Sequence, residues 1–308
     1  MSFSIIFPGQ GSQSLGMMGK LAEQHSLVKE LFVEASDVLG VDLWAMSQYG
    51  PLEALSQTEN TQPALLTAGV AAWRVWQELG GQTPSIMAGH SLGEYTALVS
   101  AGALSFSDGV ALVRDRGRYM QEAVPAGQGA MAAIIGLEDQ QVIDVCAATA
   151  DGDVLQAVNF NAPGQVVIAG SAAAIERATV TMKEAGAKRA LLLPVSIPAH
   201  SRLMTPASER LAERIDSIDV KLPTIPVLHN CNVEVATSAQ DVAANLVKQL
   251  DSPVRWVESV NAMHAQGVER FIESGPGKVL GGMVKRIVKG VEVACIDNPE
   301  AFDALINS

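Results

Sequence analysis

Cysteine is scarce in this chain of 308 residues: Cys146, Cys231 and Cys295 are odd in number and far apart. That excludes a disulfide framework and any paired metal spacing, and it is the usage of a reducing cytoplasm. The three thiols read as small buried hydrophobes. Positive charge is short as well. Lys and Arg total 21 against 33 Asp and Glu, a formal net charge of −12, which argues against a nucleic-acid partner. An acidic protein partner would need a local basic patch to dock. No apolar run reaches the ~18 residues of a membrane span. The first strand, Phe3 to Phe7, starts without a basic leader, so no secretory signal is expected. Internal repeats and low-complexity tracts are also missing.

What is present suits a globular enzyme: 48% hydrophobic and 18% charged residues. Leu27, Leu31, Ala35, Val38 and Leu39 form a helical stripe. Thr61–Leu79 reads as a long helix closed by Gly80-Gly81, with Trp73 and Trp76 on it as core residues. Ser105–Ala123 is another helix, capped by Ser105 or Ser107. Pro125 to Gly129 is a linker.

Beyond it the order is strand Ala130–Ile135, helix Asp139–Ala148 and strand Val154–Asn159. After a Pro163-Gly164 turn come strand Gln165–Ala169, helix Ala172–Ala185 and strand Arg189–Pro194. A β-α-β-β-α-β order is the ferredoxin-like unit. The remainder alternates again: helix Ser201–Ile215, strand Ile225–His229, helices Ala239–Leu250 and Val257–Gln266, strand Val268–Glu273, helix Lys278–Val288 and strand Val291–Ile296. Strands separated by helices indicate a parallel sheet covered on both faces. The expected fold is therefore α/β. Residues 1–125 and 196–308 form a large α/β-hydrolase-like subdomain, and residues 126–195 a ferredoxin-like small subdomain inserted into it.

The most informative segment is Gly89-His90-Ser91-Leu92-Gly93, between the apolar run Ser85–Ala88 and a helix from Glu94 to Ala101. Strand, sharp turn with Ser at its apex, then helix is the nucleophile elbow. Gly89 and Gly93 lack Cβ, so strand and helix can approach closely. The Leu92 N–H, at a helix start, would face whatever Ser91 attacks. The alternative is that Ser91 merely caps the helix.

A nucleophilic Ser needs a base, and the chain has five His. His25 and His264 read as surface residues, and the His90 side chain should point away from Ser91. His229 closes a strand and is a minor candidate. His200 ranks first, in the irregular stretch Val195–Ser201 that leaves the last small-subdomain strand. A second oxyanion donor should come from another loop after a strand, and Phe7-Pro8-Gly9-Gln10-Gly11-Ser12-Gln13 fits. It is no phosphate loop, because no Lys-Ser/Thr pair follows. Arg114 and Arg118 share one side of their helix, while Arg116 points elsewhere. A buried Arg116 needs an anion. That anion is either a structural carboxylate such as Asp115 or Glu122, or a substrate carboxylate gripped bidentately.

Taken together, Phe7–Gln13, Gly89–Glu94, Arg116-Gly117, Pro198-Ala199-His200 and Glu273-Ser274-Gly275-Pro276-Gly277 occur in an order that closely resembles the bacterial malonyl-CoA:acyl-carrier-protein transacylases, over nearly the whole chain. The resemblance implies Ser91 as nucleophile and His200 as general base and acid. It implies the N–H groups of Gln10 and Leu92 as oxyanion hole, Arg116 as the malonyl clamp, and the main-chain carbonyl of Gln249 as the orienter of the His. It further implies malonyl-CoA as substrate, holo-acyl carrier protein as acceptor, fatty-acid synthesis as the setting, no bound cofactor or metal, and a cytoplasmic monomer. Leu92 is the residue usual in malonyl-specific members, whereas methylmalonyl-specific polyketide-synthase relatives often carry Gln there. Lys285, Arg286 and Lys289 are the first candidate dock for an acidic carrier protein, and Lys188-Arg189 is a second. The rival readings are a serine esterase or thioesterase, a malonyl loader for a polyketide synthase, and an acyl-CoA-binding protein without activity.

Overall fold

The structure, a computed structural model, describes residues 2–306. In chain order, β1 (Ser2–Phe7) is followed by α1 (Gly19–Gln24), α2 (Ser26–Leu39), α3 (Leu43–Tyr49), α4 (Leu52–Leu55) and α5 (Thr58–Glu78). β2 (Ile86–Gly89) leads into α6 (Leu92–Ser100) and α7 (Phe106–Ala123). Next come β3 (Gly129–Ile135), α8 (Asp139–Thr149), β4 (Leu155–Ala162), β5 (Gln165–Ser171), α9 (Ala172–Glu184) and β6 (Arg189–Leu192). The chain ends with α10 (Thr205–Ile215), β7 (Val227–Leu228), α11 (Ala239–Gln249), α12 (Trp256–Ala265), β8 (Val268–Ser274), α13 (Val279–Ile287), β9 (Glu292–Ile296) and α14 (Pro299–Ile306).

The first sheet has the order β7-β2-β1-β8-β9 and every pairing in it is parallel. β1 and β2 are buried almost throughout, as strands covered on both faces must be. Parallel strands finish at one edge, so the loops after β1, β2 and β8 come together there. Phe7 is in register with Gly89, and Ile6 with Glu273. Ligands of open α/β sheets bind at that carboxyl edge.

The second sheet has the order β4-β5-β3-β6 and is antiparallel, which is the ferredoxin-like arrangement. α8 and α9 cover one face through Val142, Ile175, Ala178 and Met182. The opposite face carries Met131, Val158, Val167 and Ala169. The free edge of β4 is closed by Val254, whose N–H donates to the Val158 carbonyl (2.8 Å) and whose carbonyl accepts from Phe160 N–H (3.0 Å). That pairing ties the second sheet to the start of α12.

Several boundaries differ from the sequence reading. β4 runs to Ala162 instead of ending at Asn159, continuing right up to the Pro163-Gly164 turn through two register shifts. Its polar Asn159 and Asn161 disguised the continuation. The helix expected from Ser201 begins as a 3₁₀ turn, Arg202–Met204, before α10. Pro206, in the first turn of α10, has no N–H to extend the α-helix backwards. β7 is only two residues long, and α14 lies beyond the last expected element. Among the described residues, no helix is long and apolar enough to cross a membrane.

Candidate active site

The turn after β2 is a strained one. Ser91 has φ 53° and ψ −107°, a conformation that costs a non-glycine residue about 1–3 kcal/mol. Its neighbours enforce it. A Cβ on Gly89 would lie 1.8 Å from the Gly93 carbonyl carbon, and one on Gly93 would lie 2.0 Å from the Phe7 oxygen. Asn230 clamps the turn from the far side: its Oδ1 accepts from Ser91 N–H and its Nδ2 donates to the Gly89 carbonyl, both at 2.7 Å. Gln249 Nε2 holds the Ser91 carbonyl at 3.0 Å. The Ser91 hydroxyl makes no cap to α6, so the capping alternative is ruled out.

The hydroxyl instead meets His200, whose Nε2 is 2.7 Å from Ser91 Oγ. His200 is 2% exposed and sits at φ 64°, its N–H donating to the Leu250 carbonyl. Nδ1 lies 2.8 Å from the Gln249 carbonyl, and a carbonyl only accepts. Nδ1 therefore carries the proton and Nε2 is left to accept from Ser91. Burial, and next the Arg116 positive charge, push the His200 pKa down to about 3. The imidazole is thus neutral at any physiological pH, with Nε2 unprotonated and free to accept.

Arg116, on α7, is 1% exposed. Its Nη1 donates to Gln62 Oε1 (2.8 Å), and its Nη2 to Gln249 Oε1 (3.0 Å) and Ser91 Oγ (3.1 Å). The guanidinium lies over the Tyr95 ring, and its Nε has no partner among the described residues. Neither structural carboxylate proposed from the sequence serves it. Asp115 pairs with Arg118 and Arg214, and Glu122 pairs with Arg210. The buried guanidinium thus has neutral partners only and no carboxylate contact.

Two backbone N–H groups at the cavity carry no bond to another described residue. The N–H groups of Ser91, Gly93 and Glu94 are engaged by Asn230 Oδ1, the His90 carbonyl and the Ser91 carbonyl, which leaves that of Leu92 open. In the loop after β1, Gly11 N–H goes to Gln13 Oε1 and Ser12 N–H to the Gly9 carbonyl, while no bond occupies Gln10 N–H among the described residues. Gln10 and Leu92 line the same cavity, of about 870 Å³, with Ser91, Arg116 and His200. Met131, Asn159, Asn161 and Val167 close it from the second sheet, and Val279, Leu280 and Met283 from α13.

The remaining histidines are committed elsewhere. His90 turns away to Asn161 (2.7 Å) and packs against the edge of Trp256. His229, the minor candidate, is fully buried against Glu94 at 2.7 Å. His25 packs near Phe302, and His264 Nδ1 meets the Val268 carbonyl. Sequence reasoning missed Asn230, Gln62 and the side chains of Gln249 and Glu94. Only Glu94 carried a signal, as the last residue of the segment Gly89–Glu94 on which the resemblance rests. On α13, Lys285 and Arg286 are exposed, and Lys289 follows the helix. Arg286 already holds the turn after β4, donating to the Pro163 carbonyl and to Gln165. No group of three or more His, Cys, Asp or Glu among the described residues could hold a metal ion.

A family model described as "Acyl transferase domain" matches residues 4–296. The malonyl CoA-acyl carrier protein transacylase of Salmonella typhimurium is 53% identical over 304 residues, 99% of this chain and 98% of that protein. The crystal structure of an acyl carrier protein S-malonyltransferase from Vibrio cholerae superposes with a TM-score of 0.97 at 56% identity, covering 99% of this chain and all (100%) of the other. A malonyl-transacylase solved in complex with its type II PKS acyl-carrier protein superposes at 0.98 with 50% identity, covering 100% of this chain and 99% of its own.

Proposed function

The chain belongs to the acyl transferase domain family, and we propose on that premise that it transfers malonyl from malonyl-CoA to the phosphopantetheine thiol of an acyl carrier protein, through an ester on Ser91, in fatty-acid biosynthesis. The observation that carries the reading is the convergence on one oxygen: Ser91 Oγ has His200 Nε2 at 2.7 Å and Arg116 Nη2 at 3.1 Å. A base and an anion clamp at one hydroxyl suit an acyl group that ends in a carboxylate. Residues 126–195 form the small subdomain, and the substrate enters between its sheet and the parallel one.

Ser91 Oγ attacks the thioester carbonyl carbon as its proton passes to His200 Nε2. The oxyanion is held by the N–H groups of Gln10 and Leu92; losing one such donor typically costs about 3 kcal/mol. The C–S bond breaks, the sulfur takes the proton from His200, and coenzyme A leaves. The carrier's thiol then gives its proton to His200, its sulfur attacks the ester carbonyl, and Ser91 Oγ recovers the proton as the C–O bond breaks. Arg116 holds the malonyl carboxylate throughout, so the carbonyl stays in the hole and water is poorly placed. These steps use only side-chain and backbone groups of this chain.

Mixing the protein with malonyl-CoA and recording its intact mass tests the scheme. The expected result is a malonyl adduct on the peptide containing Ser91 that disappears on adding holo-carrier protein. Rapid release of free malonate without an acceptor would identify a hydrolase instead.

We assign the carrier to the exposed Lys285 and Lys289 at the far end of α13, the helix whose Val279, Leu280 and Met283 line the cavity, with Lys188 and Arg189 as the second candidate contact. Arg286 is a poor probe because it also holds the β4–β5 turn. Lys285→Glu with Lys289→Glu is the cleaner change. At low salt we expect the KM for carrier protein to rise about tenfold, with kcat unchanged and the effect fading as salt is added. An unchanged KM at low salt removes this patch as the dock.

A further inference from the structure

Glu94, directly after the elbow, has no task in the reaction above. It lies in the first turn of α6 and is fully buried. A buried carboxylate persists only with its oxygens satisfied. Oε1 faces His229 Nδ1 at 2.7 Å, and Oε2 accepts from Asn230 N–H at 2.9 Å and from Gln249 Nε2 at 2.8 Å.

An ionised carboxylate only accepts, so every neighbour must offer it a donor. For Gln249 this decides which end of the amide faces which way. Nε2 bridges Glu94 and the Ser91 carbonyl, and Oε1 is thereby presented to Arg116 Nη2 at 3.0 Å. A flipped amide would set oxygen against the carboxylate and NH₂ against the guanidinium. Both contacts would then oppose like groups.

The amide also keeps the two buried charges apart. A direct Glu94–Arg116 pair would satisfy the guanidinium, whereas a neutral amide between them orients Arg116 and leaves its charge for a ligand. His200 rests on main-chain carbonyls, those of Gln249 and Leu250. Glu94 also steadies the Ser91 turn, since Asn230 and Gln249 both bond the turn and Glu94 Oε2. Loss of that support would lower transfer of every acyl group alike, whereas loss of the Gln249–Arg116 contact bears on the carboxylate alone.

We propose that Glu94 is a positioning residue for acyl selectivity: acting through the Gln249 amide, it holds Arg116 in the pose that receives the substrate's carboxylate. The proposal rests on the transferase reading and deepens it.

The test compares kcat/KM for malonyl-CoA and acetyl-CoA in the wild type, Glu94→Gln, Gln249→Met and the double variant. Wild-type malonyl transfer is established first, so a failure there counts against the transferase reading and not against Glu94. Glu94→Gln keeps size but removes the charge, so the bond that anchors Gln249 Nε2 weakens, while the Ser91 carbonyl and Arg116 still set which way the amide faces. The malonyl-to-acetyl ratio is expected to fall about tenfold or more in each single variant, and no further in the double. Equal losses for both substrates would leave Glu94 as mere support for the fold, and additive losses in the double variant would show a route other than Gln249. Either result overturns the proposal. Should Glu94→Gln not fold, Gln249→Met decides: a lowered ratio supports the chain of contacts, and an unchanged one breaks it.

Discussion

Ser91→Ala is expected to abolish malonyl transfer, a fall of about 10⁴-fold or more, and adding His200→Ala to it is expected to cost nothing further. The reason is that the hydroxyl and the imidazole act as one unit. His200 Nε2 has a single contact of use, the Ser91 oxygen at 2.7 Å, and without that oxygen it has no proton to take. His200→Ala alone should lower both half-reactions by about 10²–10⁴-fold, the usual contribution of a positioned general base. The backbone should tolerate the serine change. Alanine at φ 53° is no more strained than serine, and the clamp from Asn230 acts on Ser91 N–H and the Gly89 carbonyl, which alanine leaves intact. Thermal unfolding should therefore shift little. Transfer to holo-carrier protein, followed by intact mass, checks the rates. A malonyl adduct that still forms on Ser91→Ala would place the nucleophile elsewhere.

The difference between what could and could not be foreseen follows the range of the interactions. The elbow is local: Gly89, Ser91 and Gly93 state their backbone geometry in five consecutive residues. The ferredoxin-like unit was legible for a similar reason, since each of its elements has its own periodicity and a turn signal between. His200 is 109 residues from Ser91, and only its place in a loop leaving a strand marked it. Its protonation state depends on burial and on Arg116, neither of which the sequence displays. Arg116 could be told from Arg114 and Arg118 by helical spacing, yet its partner could not. Which carboxylates are already taken, Asp115 by Arg214 and Glu122 by Arg210, depends on how α10 packs against α7. Gln249 and Asn230 gave no pattern at all. Gln249 reads as one more polar residue at a helix end, and it is fully buried only because α11 ends beneath the elbow. Its matching carbonyl came from resemblance alone.

Arg116→Ala is expected to lower kcat/KM for malonyl-CoA by about a hundredfold or more, while acetyl-CoA changes by no more than about fivefold. Breaking a buried, hydrogen-bonded charge pair by removing one partner costs about 3–5 kcal/mol, and each 1.4 kcal/mol is about tenfold. The acetyl control carries the losses common to both substrates, including the bonds from Arg116 to Gln62, Gln249 and Ser91 Oγ. The ratio thus isolates the carboxylate. The same variant should alter the pH profile, with a definite sign. Arg116's charge is the second cause, after burial, of the depressed His200 pKa. Removing it lets that pKa rise towards the ordinary 6.5, though burial still holds it below. Protonated His200 is no base, so the acid limb of kcat/KM should move to higher pH in Arg116→Ala, while the wild type stays flat from about pH 5 to 8. The stability linkage runs in the same sense. Between about 3 and 6.5 the unfolded chain binds the His200 proton and the folded chain does not, so this residue's stabilising contribution is whole above pH 6.5 and declines as pH falls. Arg116→Ala narrows that window from its acid side. Identical acid limbs in the two proteins, together with equal losses for malonyl and acetyl, would remove Arg116 from both tasks.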